Sequence, residues 1–344
     1  MRQVFIDMKK AVALLMCAVI LTGLCSCAAP QEQTTNLTAM NTLMQIRVFS
    51  SLCDETEAVT LLENEIRRLE KLFDANAPES DASRINSCET ECEISRDTAE
   101  IIKISKAAFE KTDGAFDITV MPVLRLWGFD NGNYGVPKEK ALESALTLVG
   151  IDRITLDGTS VKKEKGTQIS FGGVAKGYLG GRLLEIAKEN GICGIVSLGG
   201  NIVLCGENEK KGYWSVGVKD PDNNSEIACS FECGGNLSVV TSGAYERYFE
   251  FEGKAYHHII DPETGKPAES DLKSVTVIGK NGALCDAYST SLFVMGKNKA
   301  VEFIKENNDF EYVLITTDNE IICSDGVKNP TSDLKINKLS DDAV

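Results

Sequence analysis

The chain of 344 residues contains two histidines, and they are adjacent. His257 and His258 stand within Tyr256–Pro267, YHHIIDPETGKP. This stretch constrains the local fold tightly. Residues 254–260 are rich in β-formers and lie between Gly253 and Pro262, which predicts a short strand. Pro262 presets the turn that follows, Asp261 can hydrogen-bond the next backbone amides, and Gly265 supplies any positive φ. Side chains alternate along a strand, so only one of the two histidines can face a given site. Alone, the stretch suits a surface hairpin with incidental histidines as well as it suits a site. The rest of the chain has to decide.

A net charge of −15 offers no basic stripe to phosphates, which excludes nucleic acid as a partner. It does not exclude a phosphorylated small molecule, because a metal ion or a helix N-terminus supplies a local positive field. At the N-terminus, Arg2, Lys9 and Lys10 precede the apolar run Ala11–Leu24. That run falls short of the roughly 20 residues of a membrane span and predicts a signal peptide over residues 1–26. Leu24-Cys25-Ser26-Cys27 resembles a bacterial lipobox, with Leu at −3 and a small residue at −1. Cys27 is therefore expected to carry the lipid, and residues 27–36 to form a flexible tether holding the domain on the extracytoplasmic face of the cell membrane. A plain secretory signal or an uncleaved anchor is the alternative. Nine cysteines follow Cys27, an odd number, and the C-x₃-C pairs Cys88/Cys92 and Cys229/Cys233 have no nearby histidine. They read as free thiols without a structural metal.

Between residues 37 and 330 the patterning predicts one α+β domain, with mixed and antiparallel sheets and flanking helices. Residues 40–49 read as a strand and 55–73 as an amphipathic helix, with apolar Val59, Leu62, Ile66, Leu69 and Phe73. Residues 74–86 read as a polar loop, 97–112 as a helix capped by Asp97, and 137–149 as a third helix. A hairpin is expected around Asp157-Gly158, one strand over 191–204, and strands near 212–219, 226–232, 237–241, 246–252 and 273–279. Helices at about 284–294 and 299–307 precede a closing hairpin, and residues 331–344 read as a flexible tail.

Two further stretches carry chemistry. Ile169–Tyr178 (ISFGGVAKGY) runs from strand through Gly172-Gly173 into a helix, a generic way to bring amides and Lys176 against phosphate. It is neither a Walker A nor a G-x-G-x-x-G pattern. Asp286 and Thr290 lie four apart on one helical face, a carboxylate and a hydroxyl suited to an oxygen-seeking cation such as Mg²⁺. The plainer alternative is a charge at a helix start and an ordinary satisfied hydroxyl.

Taken together, eight collinear stretches resemble the ApbE-type FAD:protein FMN transferases: MNTLM (40–44), SRIN (83–86), GAFDITV (114–120) with LWGF (126–129), FGGVAKGY (171–178), SLGGNI (197–202), TSGAYERYF (241–249), HHIIDPETGKP (257–267) and CDAYSTSLFVMG (285–296). The resemblance implies Mg²⁺-dependent transfer of FMN from FAD to a Ser or Thr hydroxyl of a target protein, with release of AMP. It implies a metal held by Asp286, Thr290 and the Gly173 carbonyl, and FAD contacts at Met40, Ala115, Phe116, Asp117, Ser170 and Lys176. His258 falls where the attacking hydroxyl would be deprotonated. The implied acceptors are extracytoplasmic flavin subunits of ion-pumping redox complexes. Ser170 and Ala244 stand where the family often has Asp, and Asn76 where it often has Tyr. Two other readings remain: hydrolysis of FAD to FMN and AMP, or a non-catalytic flavin-binding lipoprotein.

Overall fold

The computed structural model describes residues 32–339 apart from Glu209 and Asn224. The expected signal peptide, Cys27 with its expected lipid and the first residues of the expected tether lie outside the described residues, as do 340–344. Strands β1 (Gln33–Ala39) and β2 (Thr42–Ser50) form a hairpin. Its tip, Met40-Asn41, takes φ of 48° and 58°, the conformation that a two-residue turn between right-twisted strands requires. One strand from residue 40 was expected. Instead Gln33–Asn36, assigned from sequence to the tether, pair with Gln45–Val48.

Helix α1 (Glu55–Phe73) is capped by Asp54, whose side chain accepts from the Thr56 and Glu57 amides, and it buries Leu62, Ile66 and Leu69. Where a polar loop was expected, α2 (Asp81–Ser87) forms, because the Ser80 hydroxyl accepts the Ser83 amide at 2.9 Å. After β3 (Glu91–Glu93) comes α3 (Arg96–Lys111), capped by Ser95 rather than Asp97. Asp97 is drawn instead to Arg68, 2.7 Å away. Helices α4 (Met121–Trp127) and α5 (Glu139–Leu146) lead to the expected hairpin of β4 (Ile154–Asp157) and β5 (Ser160–Lys163).

Next come α6 (Ala175–Glu189), β6 (Cys193–Ser197) and β7 (Asn201–Cys205). The last two replace the single strand expected there, because Gly199 at φ 93° lets the chain reverse. Strands β8 (Trp214–Lys219), β9 (Ile227–Cys233), β10 (Leu237–Gly243), β11 (Tyr248–Phe251), β12 (Lys254–His257) and β13 (Leu272–Gly279) follow. Helix α7 (Gly282–Glu306) is interrupted at Gly296, φ 71° and ψ 173°, where the sequence separates two helices. Strands β14 (Glu311–Thr316), β15 (Glu320–Ser324), β16 (Lys328–Thr331) and β17 (Lys335–Leu339) complete the chain. The expected flexible tail is thus ordered as far as Leu339: β17 closes the main sheet by pairing in parallel with β15.

The main sheet has nine strands in the order β1-β2-β6-β7-β10-β13-β14-β15-β17, antiparallel except for the last pair. Its two faces bury different cores, as the period of two along a strand demands. On β7, Val203 and Cys205 join the core beneath α1, α6 and α7, whereas Leu204 joins the core beneath the small sheet β16-β9-β8. A third cluster packs Trp127, Phe129 and Leu142 against Ile260, with Phe249 and Tyr256 of the β11–β12 hairpin at its margin. The protein is a single mixed α+β domain. Among the described residues Cys53, Cys88, Cys92, Cys205, Cys229, Cys233, Cys285 and Cys323 are free thiols, and burial pushes Cys205 up to about 12. Among the described residues no helix is long and apolar enough to cross a membrane, and no group of three or more His, Cys, Asp and Glu side chains is arranged to hold a metal ion.

Candidate active site

The tips of these elements enclose one cleft of about 430 Å³. The residues singled out within the domain all line it: Met40, Ala115, Phe116, Asp117, Ser170, Gly173, Lys176, His258, Asp286 and Thr290. They come from the β1–β2 tip, the segment before α4, the start of α6, the first turns of α7 and the end of β12.

Asp286 is brought in by glycine. A Cβ on Gly177 would fall 2.5 Å from the Asp286 Cβ and closer still to the Gly282 carbonyl, so only glycine lets α6 and α7 start backbone to backbone. The contact allows the Gly177 amide to donate to Asp286 Oδ2 at 2.7 Å. Asp286 is only 5% exposed, and burial raises its pKa above the usual carboxylate range. The Lys176 charge and the Gly177 amide oppose that shift. A buried carboxyl at a helix N-terminus, with Lys176 beside it, is an oxygen donor that suits a hard cation. Thr290 lies one turn further along α7, its Oγ1 3.6 Å from where a Gly173 Cβ would stand. Ser170 and the glycines after it are held from outside the cleft, because the Asn86 side chain grips the Ile169 backbone by both ends. Asn86 Oδ1 accepts the Ile169 amide at 2.6 Å and Nδ2 donates to its carbonyl at 2.9 Å.

Two expected flavin-contacting residues also make bonds within the fold. Both carboxylate oxygens of Asp117 are taken, by Thr119 (amide 2.7 Å, hydroxyl 2.6 Å) and by the Ile151 amide at 3.1 Å. Asp117 therefore offers the cleft its backbone rather than its charge. Met40 fixes the β1–β2 tip by donating its amide to Glu70 Oε1 at 2.7 Å.

The histidines separate as strand alternation requires. His257 Nε2 lies 3.1 Å from the Ala268 carbonyl, and its ring meets Phe293 edge-on in the core. His258 lines the cleft with Nδ1 3.2 Å from the Arg247 carbonyl. A carbonyl only accepts, so Nδ1 carries the proton and Nε2 keeps its lone pair. Burial, with the charges of Arg247 and Lys176, lowers the His258 pKa to about 3 and keeps the ring neutral. A sequence model of the ApbE family matches residues 40–314.

The chain belongs to the ApbE family. It is 31% identical to the FAD:protein FMN transferase of Haemophilus influenzae over 337 residues, covering 92% of this chain and 96% of that protein. It is 31% identical to one from Klebsiella pneumoniae over 265 residues, covering 75% and 82%. Among solved structures, the ApbE protein of Thermotoga maritima superposes with a TM-score of 0.79 at 33% identity, covering 85% of this chain and 96% of that one. Flavin transferase ApbE from Vibrio cholerae gives 0.76 at 25% identity, covering 86% and 98%.

In this ApbE chain the cleft also holds groups to which the sequence alone assigned no role. Ser242 at the end of β10 contacts Thr290 Oγ1 at 3.3 Å. Arg247 orients His258 through its carbonyl, while its guanidinium donates to the Phe129 carbonyl at 2.6 Å. Asp130 has a side chain 8% exposed, pairs with Arg125 at 3.4 Å, and keeps Oδ1 without a partner among the described residues. The TSGAYER stretch was visible as a motif, but nothing in its spacing shows that one residue would act through a hydroxyl and another through a carbonyl.

Proposed function

We propose that this chain is an FAD:protein FMN transferase that moves FMN from FAD to a Ser or Thr hydroxyl of a target protein and releases AMP. The observation that carries the reading is the state of His258. It is a neutral imidazole whose Nδ1 is held on the Arg247 carbonyl, which leaves the lone pair on Nε2, on the same cleft as the buried Asp286. A flavin-binding protein without catalysis has no use for such a base.

In the proposed reaction His258 Nε2 takes the proton of the acceptor hydroxyl. The oxygen bonds to the phosphorus of the FMN half, the phosphorus–oxygen bond to the AMP half breaks, and its electron pair leaves with AMP. Lys176 and the first amides of α6 place positive field beside the diphosphate. The donor types fit a hard cation: a buried carboxylate (Asp286), a hydroxyl one turn on (Thr290) and the backbone carbonyl of Gly173, a residue whose Cβ position lies 3.6 Å from Thr290 Oγ1. Mg²⁺ held there would supply Lewis-acid neutralisation of the diphosphate. We further propose that Cys27 is lipidated and that the acceptors are extracytoplasmic flavin subunits of ion-pumping redox complexes.

The test is flavin transfer to a purified acceptor, read as covalent flavin fluorescence after denaturation. His258→Ala should lower the rate by ~10²–10⁴-fold and still bind FAD. His257→Ala should leave the rate near wild type and lower stability, because it packs on Phe293. Equal rates for His258→Ala and wild type would refute the assignment.

A further inference from the structure

Three hydroxyls beside the cleft form a chain whose hydrogens can be counted. Ser289 Oγ donates to the Asp286 backbone carbonyl at 2.9 Å, and a carbonyl can only accept, so the one hydroxyl hydrogen of Ser289 is spent. Ser242 Oγ lies 2.8 Å from Ser289 Oγ. In that pair Ser242 must be the donor, which spends its hydrogen in turn. Ser242 Oγ also lies 3.3 Å from Thr290 Oγ1. With its own hydrogen used, Ser242 can only accept there, and the Thr290 hydrogen turns toward β10. Both lone pairs of Thr290 Oγ1 are left for another partner. A hydroxyl that binds a cation needs its hydrogen directed away and its lone pairs presented.

We infer that Ser242 and Ser289 are positioning residues that preset the Thr290 hydroxyl as a cation ligand. The inference rests on the metal reading proposed above and deepens it. Ser289 is fully buried and Ser242 partly so; Ser289 touches Asp286 only at its backbone carbonyl, and its hydroxyl reaches Thr290 Oγ1 through Ser242. Removing Ser242 leaves the Thr290 hydrogen without its acceptor. Removing Ser289 frees the Ser242 hydrogen to point at Thr290, which occupies a Thr290 lone pair and reverses the chain. Either change weakens the cation, by about tenfold if it follows other partners that orient metal ligands. The two changes act on one chain, so their effects do not add.

The experiment measures Mn²⁺ binding to the purified protein with FAD present, by the electron paramagnetic resonance of free Mn²⁺. The series is wild type, Ser242→Ala, Ser242→Thr, Ser289→Ala, the Ser242→Ala/Ser289→Ala double variant, and Asp286→Ala, each checked for an unchanged melting profile. Ser242→Ala and Ser289→Ala should each weaken Mn²⁺ about tenfold, the double variant no further, and Ser242→Thr should restore binding. Should Ser242→Ala fail to fold, Ser289→Ala alone carries the test. Wild-type affinity in the single variants, with Asp286→Ala weakened, would overturn the relay and leave the metal reading standing. Additive losses in the double variant would also overturn it, as separate packing effects. Wild-type affinity in Asp286→Ala would remove the metal site itself, and the relay with it.

Discussion

Gly177→Ala tests whether the approach of two helices builds this site. In most helices the change stabilises by roughly 0.5–1 kcal/mol, because alanine loses less backbone freedom on folding. Here the new methyl would stand 2.5 Å from the Asp286 Cβ and nearer still to the Gly282 carbonyl, which belongs to backbone and cannot rotate away. Forcing the helices apart costs about 1–3 kcal/mol. Losing the charge-assisted bond from the Gly177 amide to Asp286 costs about 1.5–3 kcal/mol more. Net destabilisation of about 2–5 kcal/mol follows, with a loss of flavin transfer because Asp286 moves with α7. Gly181→Ala is the internal control: it lies on the same helix, and a Cβ there meets nothing within 4 Å. It should be neutral or stabilising by up to about 1 kcal/mol. Both variants are compared by urea unfolding and by transfer rate. A Gly177→Ala protein as stable and active as wild type, or a Gly181→Ala protein equally damaged, would refute the reasoning.

Four further outcomes are expected. Burial lowers the His258 pKa well below its ordinary value, so kcat/KM should show no acid limb near 6.5 that depends on this residue; finding one would contradict the assignment. Both histidines have lowered pKa values, so the unfolded chain binds more protons below about pH 6.5, and stability should decline as the pH falls through that value. Asn86→Ala removes both bonds to Ile169 and should cost about 1–3 kcal/mol in thermal unfolding while weakening FAD in a binding titration, although Asn86 does not line the cleft. Cys27→Ala should release the protein from membranes in cell fractionation with its transfer activity intact; a membrane-bound variant with a cleaved signal would contradict lipidation at that residue.

How far the sequence shows the site depends on the kind of contact. The opposite directions of His257 and His258 were legible because a strand has a period of two, and Asp286 with Thr290 because a helix turn spans four residues. The helix Asp81–Ser87 was not, since its polar residues resemble a loop until Ser80 caps it and Asn86 reaches Ile169, 83 positions along the chain. Asp97 looked like a cap because acidic residues suit a helix start, but Arg68 claims it and Ser95 caps instead. Asp117 kept its place on the cleft, but both its carboxylate oxygens are engaged by Thr119 and Ile151, partners fixed only by folding. The tail strand Lys335–Leu339 has too few apolar residues to announce itself, and its order comes from pairing with β15. Periodic elements were readable; partners chosen across the fold were not.

In the proposed reaction one cleft couples cleavage of the FAD diphosphate to capture of FMN by a protein hydroxyl, through His258. The most direct measurement is a single-turnover experiment with FAD, Mg²⁺ and an acceptor protein, quantifying released AMP and acceptor-bound flavin together in wild type and in His258→Ala. AMP and acceptor-bound flavin should form in equal amounts and on one time course in wild type, and both should fall together in His258→Ala. AMP formed without flavin on the acceptor, or transfer that persists without His258, would contradict it.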